Sequence, residues 1–382
     1  MNEKPNYRIE VAKPVAVDFI PSPNPYHRAW PLDLLRIAAA LMVVAQHWSI
    51  VGLSDLGNSA WLRSITSYGY LGVDVFFFIS GVVITRSAAN SHAKKFTVLR
   101  FARLAPAYLI ILMVSIPVGL YVSDSRYEIS SIFSSLTFSE FVTQPPKDDL
   151  LILDSWTLWV EIQFYFCIAL VLLLFAGWQQ ISTTSQKLTL SSFKVLFSIW
   201  LGFLALNKAG VSGIPVLLTL GGFATAFICG GLFGTITDKT SLIRLSPVLA
   251  LASTFVFYGF YQRSLNSEST IGSLDLQTSH VTVSAVLVAA SLFSVIAGLV
   301  ARPLPRRVAR VLTVLALATY PLYLMHQELG NRSIIKLTEL GVPNPTAIAA
   351  TFALSVGASI FISLLVEPPM RRLILRKSGL SP

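Results

Sequence analysis

The sequence predicts an all-α, polytopic integral membrane bundle of about ten transmembrane helices, with both termini cytoplasmic. Three observations predict it. Of 382 residues, 54% are hydrophobic and 13% are charged, against roughly 25% charged in soluble domains. Apolar runs of membrane-spanning length recur along the whole chain and are continuous rather than alternating with period two, which argues against a β-barrel. Lysine and arginine then segregate between alternate connections, as the positive-inside rule requires.

The predicted spans are residues 32–51, 69–88, 105–122, 156–177, 195–207, 214–235, 248–261, 281–300, 312–326 and 346–366. The fifth, seventh and ninth are short for a hydrocarbon core of ~30 Å, which takes about 20 residues. They are expected to borrow flanking residues or to be shielded by neighbours. Residues 1–31 read as a polar, proline-containing cytoplasmic tail without the apolar core of a cleavable signal. Residues 32–370 form one membrane domain, and residues 371–382 a basic cytoplasmic tail. Cys167 and Cys229 fall inside apolar runs and are expected to be inert thiols, and no metal site is expected.

With the N-terminus inside, inner segments hold 21 lysines and arginines and outer segments 7, Arg63 and Arg263 among them. The net charge of +10 is then accounted for by insertion and by anionic lipid, and nucleic-acid binding is not needed. The connection from about 123 to 155 is the longest. Its SIFSSLTFSEF stretch is expected either to lie in the interface or to act as a lid.

Polar residues inside the spans carry the functional signal, because charge in hydrocarbon is expensive and faces a bundle interior or a water-filled cavity. Asp74 in GYLGVDVFFFISG and Glu161 in SWTLWVEIQFYF are expected near one depth in the outer half. His47 and His326 approach the same side from the first and ninth spans. Arg36 lies toward the cytoplasmic end of the first span, and Arg100 and Arg103 immediately precede the third. Arg36 and His47 are eleven residues apart, about three turns and roughly 16 Å, and so share a face to within about 20°. That stripe lines a path across the bilayer. Plainer readings stand beside this one. Arg36 and Arg103 could be snorkelling anchors, either histidine could bond a carbonyl at the interface, and Asp74 and Glu161 could be structurally paired. Glu367 is expected to pair with Arg371 or Arg372. Phe76–Phe78 read as packing, and Gly69, Gly72 and Gly81 as sites of close helix approach.

Together these stretches resemble the acyltransferase-3 family of membrane-bound acyltransferases. LDLLRIAAALMVVAQH is similar to the family's first-helix motif, a basic residue separated by ten residues from a histidine, here Arg36 and His47. GYLGVDVFFFISG resembles the second-helix motif through Asp74, Phe76, Phe77, Ser80 and Gly81. FTVLRFARLAPAY carries an Arg-x-x-Arg element in Arg100 and Arg103. SWTLWVEIQFYF, TYPLYLMH and VEPPMRR resemble the three later motifs, in the family's order. The chain departs from the pattern at Leu34 and Ile37, where glycines are common, and at Ile162, where a second acid is common. A hydrolase-like domain, which longer relatives carry after the last span, is not expected here, so transfer would be completed by the membrane domain alone or with a separate partner.

The resemblance implies an O-acyltransferase that moves an acyl group, expected to be acetyl, from acyl-coenzyme A to a hydroxyl of an envelope or secreted glycan or glycolipid. The setting it implies is a bacterial inner membrane. Acyl-CoA, in the first instance acetyl-CoA, would be a co-substrate, with no tightly bound cofactor. His47 would be the base or acyl carrier, oriented by Asp74 or Glu161, one of which could instead contact the sugar. Arg100 and Arg103 would hold the donor phosphates, with Arg36 helping there or steadying the thioester arm, and Tyr320, Tyr323 and His326 the acceptor. The rival reading is a transporter or flippase for a polar solute, which inverted repeats or broken helices would favour. A scaffold without chemistry would leave Asp74 and Glu161 unexplained.

Overall fold

The computed structural model describes residues 30–52, 66–89, 91–123, 129–138, 151–152, 154–176, 183–210, 220–236, 239–271 and 277–380. The N-terminal tail to residue 29, most of the long connection and residues 214–219 of the sixth predicted span lie outside these.

Among the described residues the chain is helical throughout. The helices are α1 (Trp30–Gly52), α2 (Leu71–Ala88), α3 (Ala93–Ser123), α4 (Ile129–Thr137), α5 (Ser155–Ala176), α6 (Thr183–Lys208) and α7 (Ala224–Gly234). They continue as α8 (Lys239–Ile271), α9 (Gln277–Val300), α10 (Arg306–Met325), α11 (Arg332–Glu339), α12 (Asn344–Phe361) and α13 (Glu367–Lys377). Among the described residues, eight helices are long and apolar enough to cross a membrane. α1, at 23 residues, also has the length to cross, with its polar residues Asp33, Arg36, Gln46 and His47 toward its two ends. The sixth predicted span is described as helix only over the 11 residues of α7, too short to cross alone. The three short predicted spans do borrow flanking residues, and α6, α8 and α10 run to 26, 33 and 20 residues.

Two widened turns interrupt the C-terminal half, at His326–Asn331 after α10 and at Ile362–Val366 before α13. The second has a plain cause. Pro368 and Pro369 offer no N–H and crowd the carbonyls four residues back, so the turn ahead of them cannot close with regular bonds.

α2 is the hub. It is the most buried of the eight spans, at 72%, and α1 and α7 lie against it. Helices of this kind do not gain from hydrophobicity in lipid, so they associate through close packing at small residues. A β-carbon at Gly81 would run into the Phe227 carbonyl, and one at Gly230 into the Phe78 carbonyl. On the other side, one at Gly69 would strike the Met42 carbonyl, and one at Gly72 would stand 2.5 Å from the Ala39 carbonyl. Aromatic rings then knit α2 to the next layer. Phe77 and Phe227 lie 4.6 Å apart by centroid, and Phe164 of α5 stacks on Phe227 at 4.4 Å. Phe166, Leu170 and Leu174 of α5 and Leu354 and Phe361 of α12 turn outward, an apolar exterior that suits lipid.

The helix contact predicts a stability asymmetry among glycines. Gly230→Ala should cost about 1–3 kcal/mol through overpacking and lower the melting temperature of detergent-solubilised protein. Gly357→Ala, which enters open space, should melt with the wild type or slightly above it. Equal melting of all three proteins would mean that backbone approach does not hold α7 on α2.

Candidate active site

α1, α2, α3, α5, α10 and α13 surround a cavity of about 320 Å³. Four guanidinium groups face it, Arg36, Arg100, Arg103 and Arg371, and Glu161 is the acid in its lining. Helical spacing explains why these side chains converge. Arg100 and Arg103 are three residues apart on α3, Glu161 and Tyr165 four apart on α5, and Tyr320 and Tyr323 three apart on α10, so each pair shares a face. Aromatic rings hold the guanidiniums in place. Arg100 sits 5.5 Å from the centroid of Phe96 and 5.8 Å from that of Tyr165, and Arg103 sits 5.4 Å from that of Tyr320. Arg36 lies 3.9 Å from Asp33, one turn earlier on α1. One Glu161 carboxylate oxygen accepts from the Tyr165 hydroxyl at 2.6 Å and from Ser80 at 3.1 Å. Tyr320 donates to the Leu104 carbonyl at 3.1 Å. The cavity carries a surplus of positive charge on rigid, forked donors, the arrangement that suits phosphate.

Two positions differ from the sequence reading. Glu161 does not share a level with Asp74. Its partner Ser80 lies six residues further along α2, about 9 Å of helix. The reason is that the chain is already inside the bundle before α5 begins, with Leu151, Ile152 and Asp154 at most 4% exposed. Glu367 makes its ion pair with Arg103 of α3 at 3.0 Å, and Arg371 of its own helix is a second cation near it. Arg371 also lines the cavity.

His47 and His326 meet directly, Nδ1 of His47 to Nε2 of His326 at 2.8 Å. His326 is fully buried and His47 only partly so. The widened turn presents the His326 carbonyl to the indole N–H of Trp48, which donates to it at 2.8 Å. His326 Nδ1 lies 2.6 Å from the Tyr323 carbonyl. A carbonyl only accepts, so Nδ1 carries the proton and Nε2 the lone pair. The His47 Nδ1–H then donates to that lone pair, which leaves His47 Nε2 as the free base of the pair. Tyr323 belongs to both groups, because its carbonyl fixes His326 and its side chain lines the arginine cavity. Beyond His326 stands Asp154, whose Oδ2 is 3.5 Å from Nδ1. Burial, and next to it the Glu328 carboxylate, push the Asp154 carboxyl well above the usual carboxylate range.

Asp74 meets neither histidine in a hydrogen bond or ion pair among the described residues; its partner is Arg263, at 3.1 Å. The sequence reading put Arg263 in an outer connection, but α8 continues to Ile271 and carries it back against α2. Its guanidinium also lies 3.6 Å from the Phe223 ring centroid. Of the nine site residues expected from sequence, Arg36, Arg100, Arg103, Glu161, Tyr320 and Tyr323 line one cavity. His47 and His326 form the adjoining pair, and Asp74 stands in a separate ion pair. Sequence reasoning missed Asp154 and Arg371. The signal for Asp154 was an acid with apolar residues on both sides, in LILDSWTLW.

Removing one partner of the Asp74–Arg263 pair should leave a buried charge uncompensated. Arg263→Ala should therefore destabilise the protein by on the order of 3 kcal/mol, read as a drop in melting temperature. Asp74→Asn combined with Arg263→Met should recover most of it. Wild-type melting of Arg263→Ala would show that the pair is not structural.

The family model described as an acyltransferase domain matches residues 31–364. Among curated proteins, the chain is 26% identical over 196 residues to the peptidoglycan O-acetyltransferase OatA of Listeria monocytogenes, covering 45% of this chain and 28% of that one. It is 28% identical over 171 residues to nodulation protein 10 of Rhizobium leguminosarum bv. viciae, covering 39% of this chain and 45% of the relative. The chain thus spans less than half the length of these relatives. No solved structure matches. The family match runs from the first turn of α1 to the second widened turn and takes in the histidine pair and every cavity arginine but Arg371, so this integral membrane protein belongs to the acyltransferase-3 family.

Proposed function

We propose that the chain is a membrane O-acyltransferase that moves an acyl group, acetyl in the first instance, from acyl-coenzyme A to a hydroxyl of an envelope or secreted glycan or glycolipid. The setting is a bacterial inner membrane. One observation carries this reading: a cavity faced by four arginines adjoins, through Tyr323, a histidine pair with an available lone pair. The Listeria relative, named for O-acetylation of peptidoglycan, supports the acceptor class.

The lysine and arginine bias supports an orientation with the arginine cavity toward the cytoplasm, where acyl-CoA is made, and the histidine pair toward the outside. Arg36, Arg100 and Arg371 hold the donor phosphates, with Arg103 steadied by Glu367. The acceptor hydroxyl gives its proton to His47 Nε2 as its oxygen attacks the thioester carbonyl carbon. Collapse of the tetrahedral intermediate breaks the carbon–sulfur bond, and the departing sulfur takes the proton from His47. An ester and free coenzyme A result, and His47 returns to its starting state. Tyr323, which lines the cavity and touches the histidine pair, stands where the acceptor meets the donor, and Tyr320 steadies Arg103. His326, being buried, acts through His47.

His47→Gln keeps bulk and hydrogen bonding but cannot take a proton near neutral pH. It should lower acyl transfer at least ~100-fold in membranes at matched expression, and near-normal transfer would remove His47 from the chemistry. Arg100→Ala should raise the KM for acetyl-CoA about tenfold or more with a smaller change in kcat, since phosphate contacts are mostly uniform binding. The assay belongs in inside-out vesicles, where the impermeant donor reaches the arginine side. Equal donor use by sealed right-side-out vesicles would reverse the orientation, and an unchanged donor KM would return Arg100 to an anchoring role.

A further inference from the structure

We infer that Asp154 is a positioning residue of this reaction, acting through His326 to hold the charge that His47 gains when it takes the acceptor proton. The inference rests on the transferase reading above. It names a residue at the other end of the chain of groups, which no motif in the sequence marks.

The geometry is a line of three side chains from three parts of the fold. His47 comes from α1, His326 from the widened turn after α10, and Asp154 from the residue before α5. His47 is partly open, whereas His326 is 0% and Asp154 4% exposed. The contacts run 2.8 Å between the imidazoles and 3.5 Å from His326 Nδ1 to Asp154 Oδ2. That oxygen is buried and makes no hydrogen bond among the described residues. A carboxylate oxygen so placed is held for a partner that becomes charged.

The Tyr323 carbonyl alone suffices to fix the resting tautomer, but it brings no charge. When His47 Nε2 is protonated, the pair can pass a proton along its shared bond, and the positive charge spreads to the buried ring of His326. There water is excluded, and an uncompensated cation is costly. Asp154 is the group on that side able to carry the answering negative charge, and an imidazolium beside it lowers the cost of its buried ionised form. Among the described residues, Glu328 beside Asp154 is engaged by Arg332 of α11 at 2.5 Å, and Tyr323 is a titratable group against the imidazoles. The relation to the base is that of the buried carboxylate in a serine-protease triad, which orients an imidazole and stabilises its cation. Here a second imidazole is interposed.

Asp154→Asn, of the same size, tests this in the full chain. It should lower kcat by on the order of 100-fold or more, with the KM for acetyl-CoA and for a glycan acceptor each within about threefold of wild type. His326→Gln should lose kcat to a similar degree, and adding Asp154→Asn to it should cost nothing further, because the two act as one unit. A second readout is independent of transfer activity. The chain has five histidines, so nitrogen-15 spectra of labelled protein can be assigned with His47→Gln and His326→Gln. The imidazolium signal of the pair should persist to higher pH in the wild type than in Asp154→Asn. Wild-type kcat in Asp154→Asn overturns the inference, and so do additive losses in the double variant. An imidazole titration untouched by Asp154→Asn overturns it as well. If instead the wild type transfers no acyl group, the transferase reading fails, while the titration still decides whether Asp154 and the imidazoles are linked.

Discussion

Hydrocarbon does not solvate charge, so every ionised side chain carried into this bundle has to find another group to answer it. That constraint sorts the polar interior into separate networks. Arg263 answers Asp74. Glu367 answers Arg103. Arg332 answers Glu328. Among the described residues, a cavity faced by four arginines and a pair of hydrogen-bonded imidazoles stand beside these pairs. Rigid guanidinium forks around a cavity are the arrangement that suits phosphate.

The scaffold that holds these networks apart is made by small residues. α2 can carry both Asp74 and Ser80 to their partners because its backbone approaches α1 at Gly69 and Gly72 and α7 at Gly81. That approach places successive turns of one helix against different polar groups. Asp74 reaches α8, and Ser80, six residues later, reaches Glu161 of α5. The two widened turns serve the same end on the other side of the molecule. The first carries His326 into contact with His47, and the second precedes Glu367 and Arg371 as the chain folds back on α3. In both cases a break in regular hydrogen bonding coincides with a residue of the candidate site, as is common for such turns.

Among the described residues, Tyr323 belongs to both the arginine cavity and the histidine pair. Its side chain lines the cavity and lies 5.5 Å by ring centroid from His326, while its carbonyl bonds the His326 ring nitrogen. A tyrosine at this position therefore couples the shape of the cavity to the orientation of the base, and it explains why the late Tyr-x-x-Tyr-x-x-His stretch works as a unit. Tyr320 supports Arg103, Tyr323 closes the cavity, and His326, three residues on, supports His47.

The helical class and nearly all the spans were legible in the sequence, because continuous apolar runs report burial in lipid without any knowledge of neighbours. So were the glycines of α2 and the residues that face the arginine cavity from α1, α3, α5 and α10, since spacings of three and four residues fix which side chains share a helix face. The depth of Glu161 was not legible, because it depends on where the chain enters the bundle, and residues 151–154 are buried before α5 starts. The partners of Asp74 and Glu367 were not legible either. Arg263 is 189 positions from Asp74, and Glu367 is 264 from Arg103, and no local pattern relates them. Sequence determined which side chains had to leave the lipid, since hydropathy and helical period are properties of a single segment. Tertiary structure alone decided which of them meet, because an ion pair or an imidazole bond is set by the packing angle and stagger of helices far apart in the chain.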